Sequence, residues 1–238
     1  MDAHDRATLL SGLSAAVPIW IGYAAVGVPF GVLAAQAGLG TFQIALMSLV
    51  VFAGSSQFIA VSLLSSGAPV LPIVITTFFV NLRHLLMSSS LALHLRGLSR
   101  WRLSLFAAEI TDETFAVNLT RFRGASWDEN KAGIVNHTAH LAWIISSMAG
   151  GLLGGVIPHG ALGIDYALTA MFLALLVLQT TSPLIALVAL CSGALAVLIS
   201  LALPGNWNVI LATVFSATAG LVIQDLWPGL SKDSRVAP

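Results

Sequence analysis

Seven apolar segments follow one another with connectors too short to form a soluble domain. They run approximately from Ser11 to Ala37, Phe42 to Leu64, Leu71 to Leu95, Ile134 to Ile157, Tyr166 to Leu178, Leu184 to Leu203 and Val209 to Leu226. An eighth, Leu103 to Thr120, is amphipathic. A membrane-spanning helix needs ~20 residues, so a chain of 238 residues is filled by them. Charged residues make up 8%, against roughly 25% in soluble domains. The expected fold is therefore an all-α, polytopic integral membrane helix bundle lying in a lipid bilayer. It is expected as one transmembrane domain, with a short tail over 1–10, a charged region over 96–131 and a second tail over 228–238. The net charge of zero says nothing about nucleic acid; the lipid bilayer is the expected surrounding, and no nucleic-acid partner is expected. Cys191 is the only cysteine, which excludes an intramolecular disulfide or a cysteine-based metal site. The first apolar run is long, contains Pro18 and leads into further segments, unlike a cleavable signal.

Six of the ten basic residues (Arg96, Arg100, Arg102, Arg121, Arg123 and Lys131) fall between two apolar segments. The positive-inside rule assigns that stretch to the cytoplasm. Both flanks of Leu103–Thr120 then lie on one side, so this helix rests in the interface or re-enters. Seven spans follow, with the N-terminus outside and Lys232 and Arg235 inside. The alternative has eight spans and breaks the rule at one flank. Trp20, Gly27, Gly31 and Gly40 recur 123 residues later (143 − 20 = 123) as Trp143, Gly150, Gly154 and Gly163. Chance and an internal repeat both account for this. With seven spans such a repeat would be inverted, a common transporter plan.

Arg83 is the most anomalous residue, since it lies inside the third apolar segment. An arginine at bilayer depth costs at least ~2.5–3.5 kcal/mol on insertion scales, so it is expected to face protein with a partner. Thr77, Asn81, His84 and Ser88 share one helical face there, which must meet protein or water. Arg83 points elsewhere, aligned with Thr76 and Ser90, and is expected to fix the bundle through a carboxylate. Asn81 and His84 are the better pathway candidates. His84 suits a proton relay or a structural hydrogen bond.

Glu109, Asp112 and Glu113 at i, i+3 and i+4 would form one acidic helix face. Arg83, Arg102 or His84 could neutralise it. It reads as a proton or amine site, or as a solvated face, with Glu109 and Arg83 as structural ion-pair candidates. Gly27, Pro29 and Gly31 mark either a break in the first helix or a close-packed contact. A break would present a half-helix end to a substrate carboxylate. Gly54, Ser55 and Gln57 in the second segment line a polar cavity or join helices. His137 and His140 resemble half of a helical metal site, but no third ligand is evident, so no metal or other cofactor is expected. Asp165 precedes the Tyr166 segment as a cap. Gly150 to Gly155 reads as a packing surface.

Together, GYAAVGVPFG, LMSLVVFAGSSQF, NLRH, ITDETFA and GIDYAL resemble the AzlC family, in family order and from about Ala16 to Ile223. The positions that match are Gly27, Pro29, Phe30, Gly31, Ala53, Gly54, Gln57, Asn81, Arg83, His84, Thr111, Asp112, Glu113 and Asp165. Met87 stands where the family often has a tyrosine. The resemblance implies an exporter of valine, leucine or isoleucine in the bacterial inner membrane, with a small hydrophobic AzlD-type partner subunit. Gradient-driven transport by alternating access is expected, and not an enzyme, because no phosphate loop, Ser-His-Asp order or other enzyme signature appears. In that reading the first-helix break holds the substrate carboxylate, and Asp112 or Glu113 meets the amine or a proton. A passive channel and an accessory subunit are the rival readings.

Overall fold

The first apolar segment folds as one unbroken helix, α1 (Ala3–Gln36), in the computed structural model of the chain. The structure describes residues 3–95, 97–124, 126–158, 161–180, 182–202 and 207–227. The expected break at Gly27-Pro29-Gly31 is not there. Pro29 forfeits one backbone hydrogen bond, but its fixed φ is helical. The glycines instead serve a close approach to α8 (Glu129–Leu153). A methyl group on Gly27 would strike Ser146, and one on Gly31 would strike the Ser147 carbonyl and the Gly150 backbone. Gly150 and Gly154 face Val28 and Ala35 in the same way. Small residues let backbones approach, and close packing associates helices where lipid offers no hydrophobic contrast.

Contacts between α1 and α8 rise together in number. Gly12 lies by Lys131 and Ile134, Gly27 by Ser146, and Gly154 by Ala35. The two helices therefore run parallel. Of the matched glycines, Gly27, Gly31, Gly150 and Gly154 lie along this shared contact of parallel helices, so a repeat relating them is not inverted. The start of α1 lies at the same end as Lys131, which overturns the expectation that the N-terminus and the basic region sit on opposite sides.

One of the seven expected spans does not cross as a single helix. The stretch Phe42–Leu64 divides into α2 (Thr41–Val50) and α3 (Gly54–Ser65). Going along α2, Ile44 lies by Gly151, Ser48 bonds Ser147, and Phe52 stacks on His140. The chain then reverses, so that Gly54 lies by Trp143 and Phe58 by Phe30. α3 leads back to the end where α2 began and packs on α4 (Val70–Asn81). After a kink at Leu82, α5 (Arg83–Ala92) continues the crossing to the opposite end.

There α6 (Arg100–Ala108) rises and α7 (Asp112–Phe122) returns. Met87, Leu91 and Leu95 of the α5 end pack with Phe106, Ile110, Leu119, Phe122 and Ala132, so both arms meet the start of α8. Leu103–Thr120 thus re-enters, which agrees with its two basic flanks. Arms of 10, 12, 9 and 11 residues at 1.5 Å per residue reach about 14–18 Å, roughly half of a ~30 Å hydrocarbon core. An inverted pattern does exist here. α1 followed by hairpin α2/α3 is repeated, in the opposite direction, by α4–α5 followed by hairpin α6/α7.

These elements belong to a compact unit, Met1–Leu168. A short 3-10 helix, Ala161–Tyr166, leads from it into α9 (Ala167–Gln179). In the second unit, Thr169–Pro238, α10 (Pro183–Ala202) and α11 (Trp207–Leu226) pack lengthwise, with Gly220 against Val188. Lys232 and Arg235 lie outside the described residues. Val74, Leu86, Leu190 and Leu201 are exposed on their helices, an arrangement suited to lipid.

Candidate functional site at the hairpin tips

The tips of the two hairpins, Val51–Ala53 and Glu109–Thr111, come together between α1, the α4/α5 kink and α8. A chain reversal at bilayer depth strips backbone groups of helical partners, which is tolerated only inside protein or beside water. Side chains of the surrounding helices supply the substitutes. At the second tip Thr111 caps α7: its Oγ1 accepts from the Thr114 N–H at 3.3 Å, and Thr114 Oγ1 accepts from the Thr111 N–H at 2.8 Å. This Thr-Asp-Glu-Thr cap breaks the helix that the acidic triplet was expected to share. Glu109, Asp112 and Glu113 consequently do not form one face, and each meets a different partner.

Arg83 joins the two tips. Its NH1 lies 2.9 Å from Asp112 Oδ2 at the second tip, and its NH2 donates to Ser55 Oγ at 2.5 Å beside the first. Asn81 donates to Ser56 Oγ at 3.1 Å. His140 forms a second bridge, with Nδ1 3.3 Å from Glu109 Oε1 and Nε2 3.2 Å from the Ser48 carbonyl. His137 pairs with Glu109 Oε2. Tyr23 of α1 donates to Glu113 Oε2 at 2.9 Å and lies 2.6 Å from Thr111 Oγ1. Gln57, wholly buried, donates to Ser48 Oγ at 3.2 Å and accepts from Trp143 Nε1 at 2.9 Å.

The sequence candidates thus fall into three places. Gly54, Ser55, Gln57, Asn81, Arg83, Glu109, Asp112 and Glu113 gather at the tips. Gly27, Pro29 and Gly31 lie on the α1 helix, whose glycines meet α8. His84 joins Asn81 and Ser88 in lining a groove of about 510 Å³ with Phe78, Leu85, Ser104 and Ala107. Three members of the polar stripe share that groove, while Thr77 bonds its own helix at the Ile73 carbonyl. The side chain of Asp165 lies outside the described residues. His137 and His140 converge on Glu109, but no group among the described residues is arranged to hold a metal ion.

Sequence reasoning assigns no site role to Tyr23 or Ser48, and marks Trp143 only as the repeat partner of Trp20. Tyr23 had a usable signal, as one of two tyrosines and the one inside the first apolar segment. Among the described residues, the buried side-chain atoms without a hydrogen-bond partner are Trp20 Nε1, Glu109 Oε2, which lies against His137, and at the α4/α5 kink the couple Asn81 Oδ1 and Arg83 Nε. Orphaned buried polar atoms are rare and call for an occupant. In the couple one is an acceptor and the other a donor, two positions apart.

A model of the AzlC protein family matches residues 18–157, which holds both hairpins and all three flanking crossings. A membrane protein of Helicobacter pylori strain J99 is 33% identical over 165 residues, covering 68% of this chain and 72% of its own. The branched-chain amino acid transport protein AzlC of Bacillus subtilis is 28% identical over 68% of this chain and 64% of its own. Inner membrane protein YgaZ of Escherichia coli is 27% identical over 95% of both chains. No solved structure matches. With the family pattern covering more than half of its length, the chain belongs to the AzlC family of membrane proteins and has a role in membrane transport.

Proposed function

We propose that the chain exports branched-chain amino acids across the bacterial inner membrane by alternating access, together with a small hydrophobic AzlD-type subunit. The observation that carries this reading is the unpaired couple Asn81 Oδ1 and Arg83 Nε–H at the hairpin tips. An amino acid zwitterion carries one group for each. Its ammonium donates to Asn81, and its carboxylate accepts from Arg83. Phe78, Leu85 and Ala107 in the adjoining groove offer an apolar wall for a branched side chain. The name of the Bacillus relative supports this substrate class, and that of the Escherichia relative supports the inner membrane. Since α1 is unbroken, the carboxylate is assigned to Arg83 rather than to a half-helix end in α1. Hairpins entering from opposite ends suit alternating access, because either can withdraw while the other remains seated. Such a cycle transports its substrate unchanged, so the chain is read as a transporter and not an enzyme.

The test is labelled-valine efflux from preloaded proteoliposomes, with and without the small subunit and an imposed proton gradient. Gradient-dependent efflux that needs both chains is expected. Asp112→Asn should abolish it at unchanged levels of membrane protein, because Arg83 then loses its counter-ion. Normal efflux in that variant would remove Asp112 from the mechanism. Absence of efflux from monodisperse wild-type protein under every condition would overturn the substrate assignment.

A further inference from the structure

His140 is held by two acceptors that cannot both be satisfied by a neutral ring beside an ionised carboxylate. Its Nε2 faces the Ser48 carbonyl at 3.2 Å, which can only accept, so Nε2 must carry hydrogen. Its Nδ1 faces Glu109 Oε1 at 3.3 Å. That contact is a hydrogen bond only if a further proton sits on Nδ1 or on the carboxyl. Without it, one of the two contacts sets lone pair against lone pair. With one further proton shared between the ring and the carboxyl, both contacts are hydrogen bonds. The other Glu109 oxygen is taken by His137, whose side chain is 62% exposed where that of His140 is 13%.

We propose that Glu109, His137 and His140 form the proton-binding site of the transport cycle. This rests on the transport reading above. His137 is the accessible member that takes up or gives off the proton, and the Glu109–His140 pair is the inner seat. The seat lies across the mouth between the tips: Ser48 belongs to the first hairpin, Glu109 to the second, and Phe52 of the first tip stacks on the His140 ring at 4.3 Å. A loaded seat ties the hairpins together. When the proton leaves through His137, the tie to Ser48 or to Glu109 is lost and the tips are free to part. The other ionisable groups nearby are engaged elsewhere: Asp112 with Arg83, Glu113 with Tyr23, and His84 toward the groove. Nothing but protons moves through the triad, and the proton taken up on one side is released on the other.

Two measurements test this. In proteoliposomes containing the small subunit, Glu109→Gln and His140→Gln should lower the ratio of proton-driven valine efflux to valine–valine exchange at least about tenfold, the scale of one charge-assisted hydrogen bond. His94→Gln, whose ring stacks on Phe122 away from the tips, should leave that ratio alone. An unaltered ratio in Glu109→Gln overturns the proposal. Independently, nitrogen-15 spectra of histidine-labelled protein in bilayers at neutral pH, with His140 assigned through His140→Gln, should show its ring signals moving in Glu109→Gln. Identical ring signals in wild type and Glu109→Gln overturn the site whatever the transport result. If the spectra move but wild-type protein transports no valine, the substrate reading falls and the proton site stands.

Discussion

The two hairpins have the same architecture and opposite chemistry. The tip of α2/α3 carries no charge: Ala53, Gly54, Ser55, Ser56 and Gln57 offer hydroxyls, an amide and small side chains. The tip of α6/α7 carries Glu109, Asp112 and Glu113, two of them in the first turn of α7, where the helix dipole favours negative charge. α7 is capped by Thr111, whereas α3 starts from Ala53 with no side-chain cap. The neutral tip is thus held through its side chains by neighbours, and the acidic tip is preorganised by its own cap. Arg83 from the α4/α5 crossing then stands between them. The acidic tip therefore stores the charge, and the neutral tip is the surface against which that charge is engaged or released.

The largest effect is expected of Arg83→Ala, which removes the side chain that binds Asp112 at the acidic tip and Ser55 beside the neutral one. Breaking a buried pair costs about 3–5 kcal/mol, and these side chains retain some exposure, so a loss of about 2–3 kcal/mol is expected. Thermal unfolding of purified protein reads the stability, and proteoliposome efflux should fall with it. Arg83→Lys keeps the charge but not the fork, so it should recover stability in part and efflux little. Equal efflux in Arg83→Lys and wild type would show that a point charge suffices.

Thr111→Ala attacks the acidic tip alone. It removes the cap of α7 and a partner of Tyr23, at about 1–2 kcal/mol. The matching change at the neutral tip, Ser55→Ala, deletes one hydrogen-bond acceptor from Arg83 and should cost about 0.5–1.5 kcal/mol. Comparing the two melting temperatures tests the claimed asymmetry. If Ser55→Ala is the more damaging, the neutral tip is the preorganised one.

Much of this arrangement was legible in the residues, and the part that was not has a common cause. Composition and segment length give a helical membrane protein, and the cost of Arg83 at depth gives it a carboxylate partner, which is Asp112. Paired basic flanks allowed Leu103–Thr120 to re-enter. Phe42–Leu64 gave no such sign, because hydropathy measures apolar length and not direction. Two half-length arms joined at Phe52 and one full span have the same profile. The reversal is permitted by Ser147, His140 and Trp143, which lie about 90 residues downstream of the hairpin arms they bond. Gly27 and Gly31 were ambiguous for a similar reason. Glycine serves a break and a close contact alike, and only the facing Ser146, Ser147 and Gly150 decide between them. The acidic triplet was misread as one face because helical spacing outweighed the Thr-x-x-Thr start signal within it.

The smallest effect expected lies outside the site and sharpens the contrast between kinds of cap. Asp128 caps α8 through hydrogen bonds from the Asn130 and Lys131 N–H groups at 3.0 Å each, with Lys131 Nζ 3.1 Å from its other oxygen. Partial burial pushes its carboxyl upward, but the Lys131 backbone and side chain outweigh that and hold it below the usual carboxylate range. A carboxyl depressed in the folded state contributes stability above its ordinary titration range and loses it as pH falls through the folded value. Because the group is partly exposed, Asp128→Ala should cost only about 0.5 kcal/mol near neutral pH. The difference from wild type should vanish once the pH drops below the depressed range. Thr111→Ala, which removes a hydroxyl cap, should show no such convergence attributable to its own side chain. Parallel melting curves for the two variants across acid pH separate the cases. A constant Asp128→Ala deficit down to strongly acid pH would mean that the aspartate acts at the head of α8 through shape rather than charge.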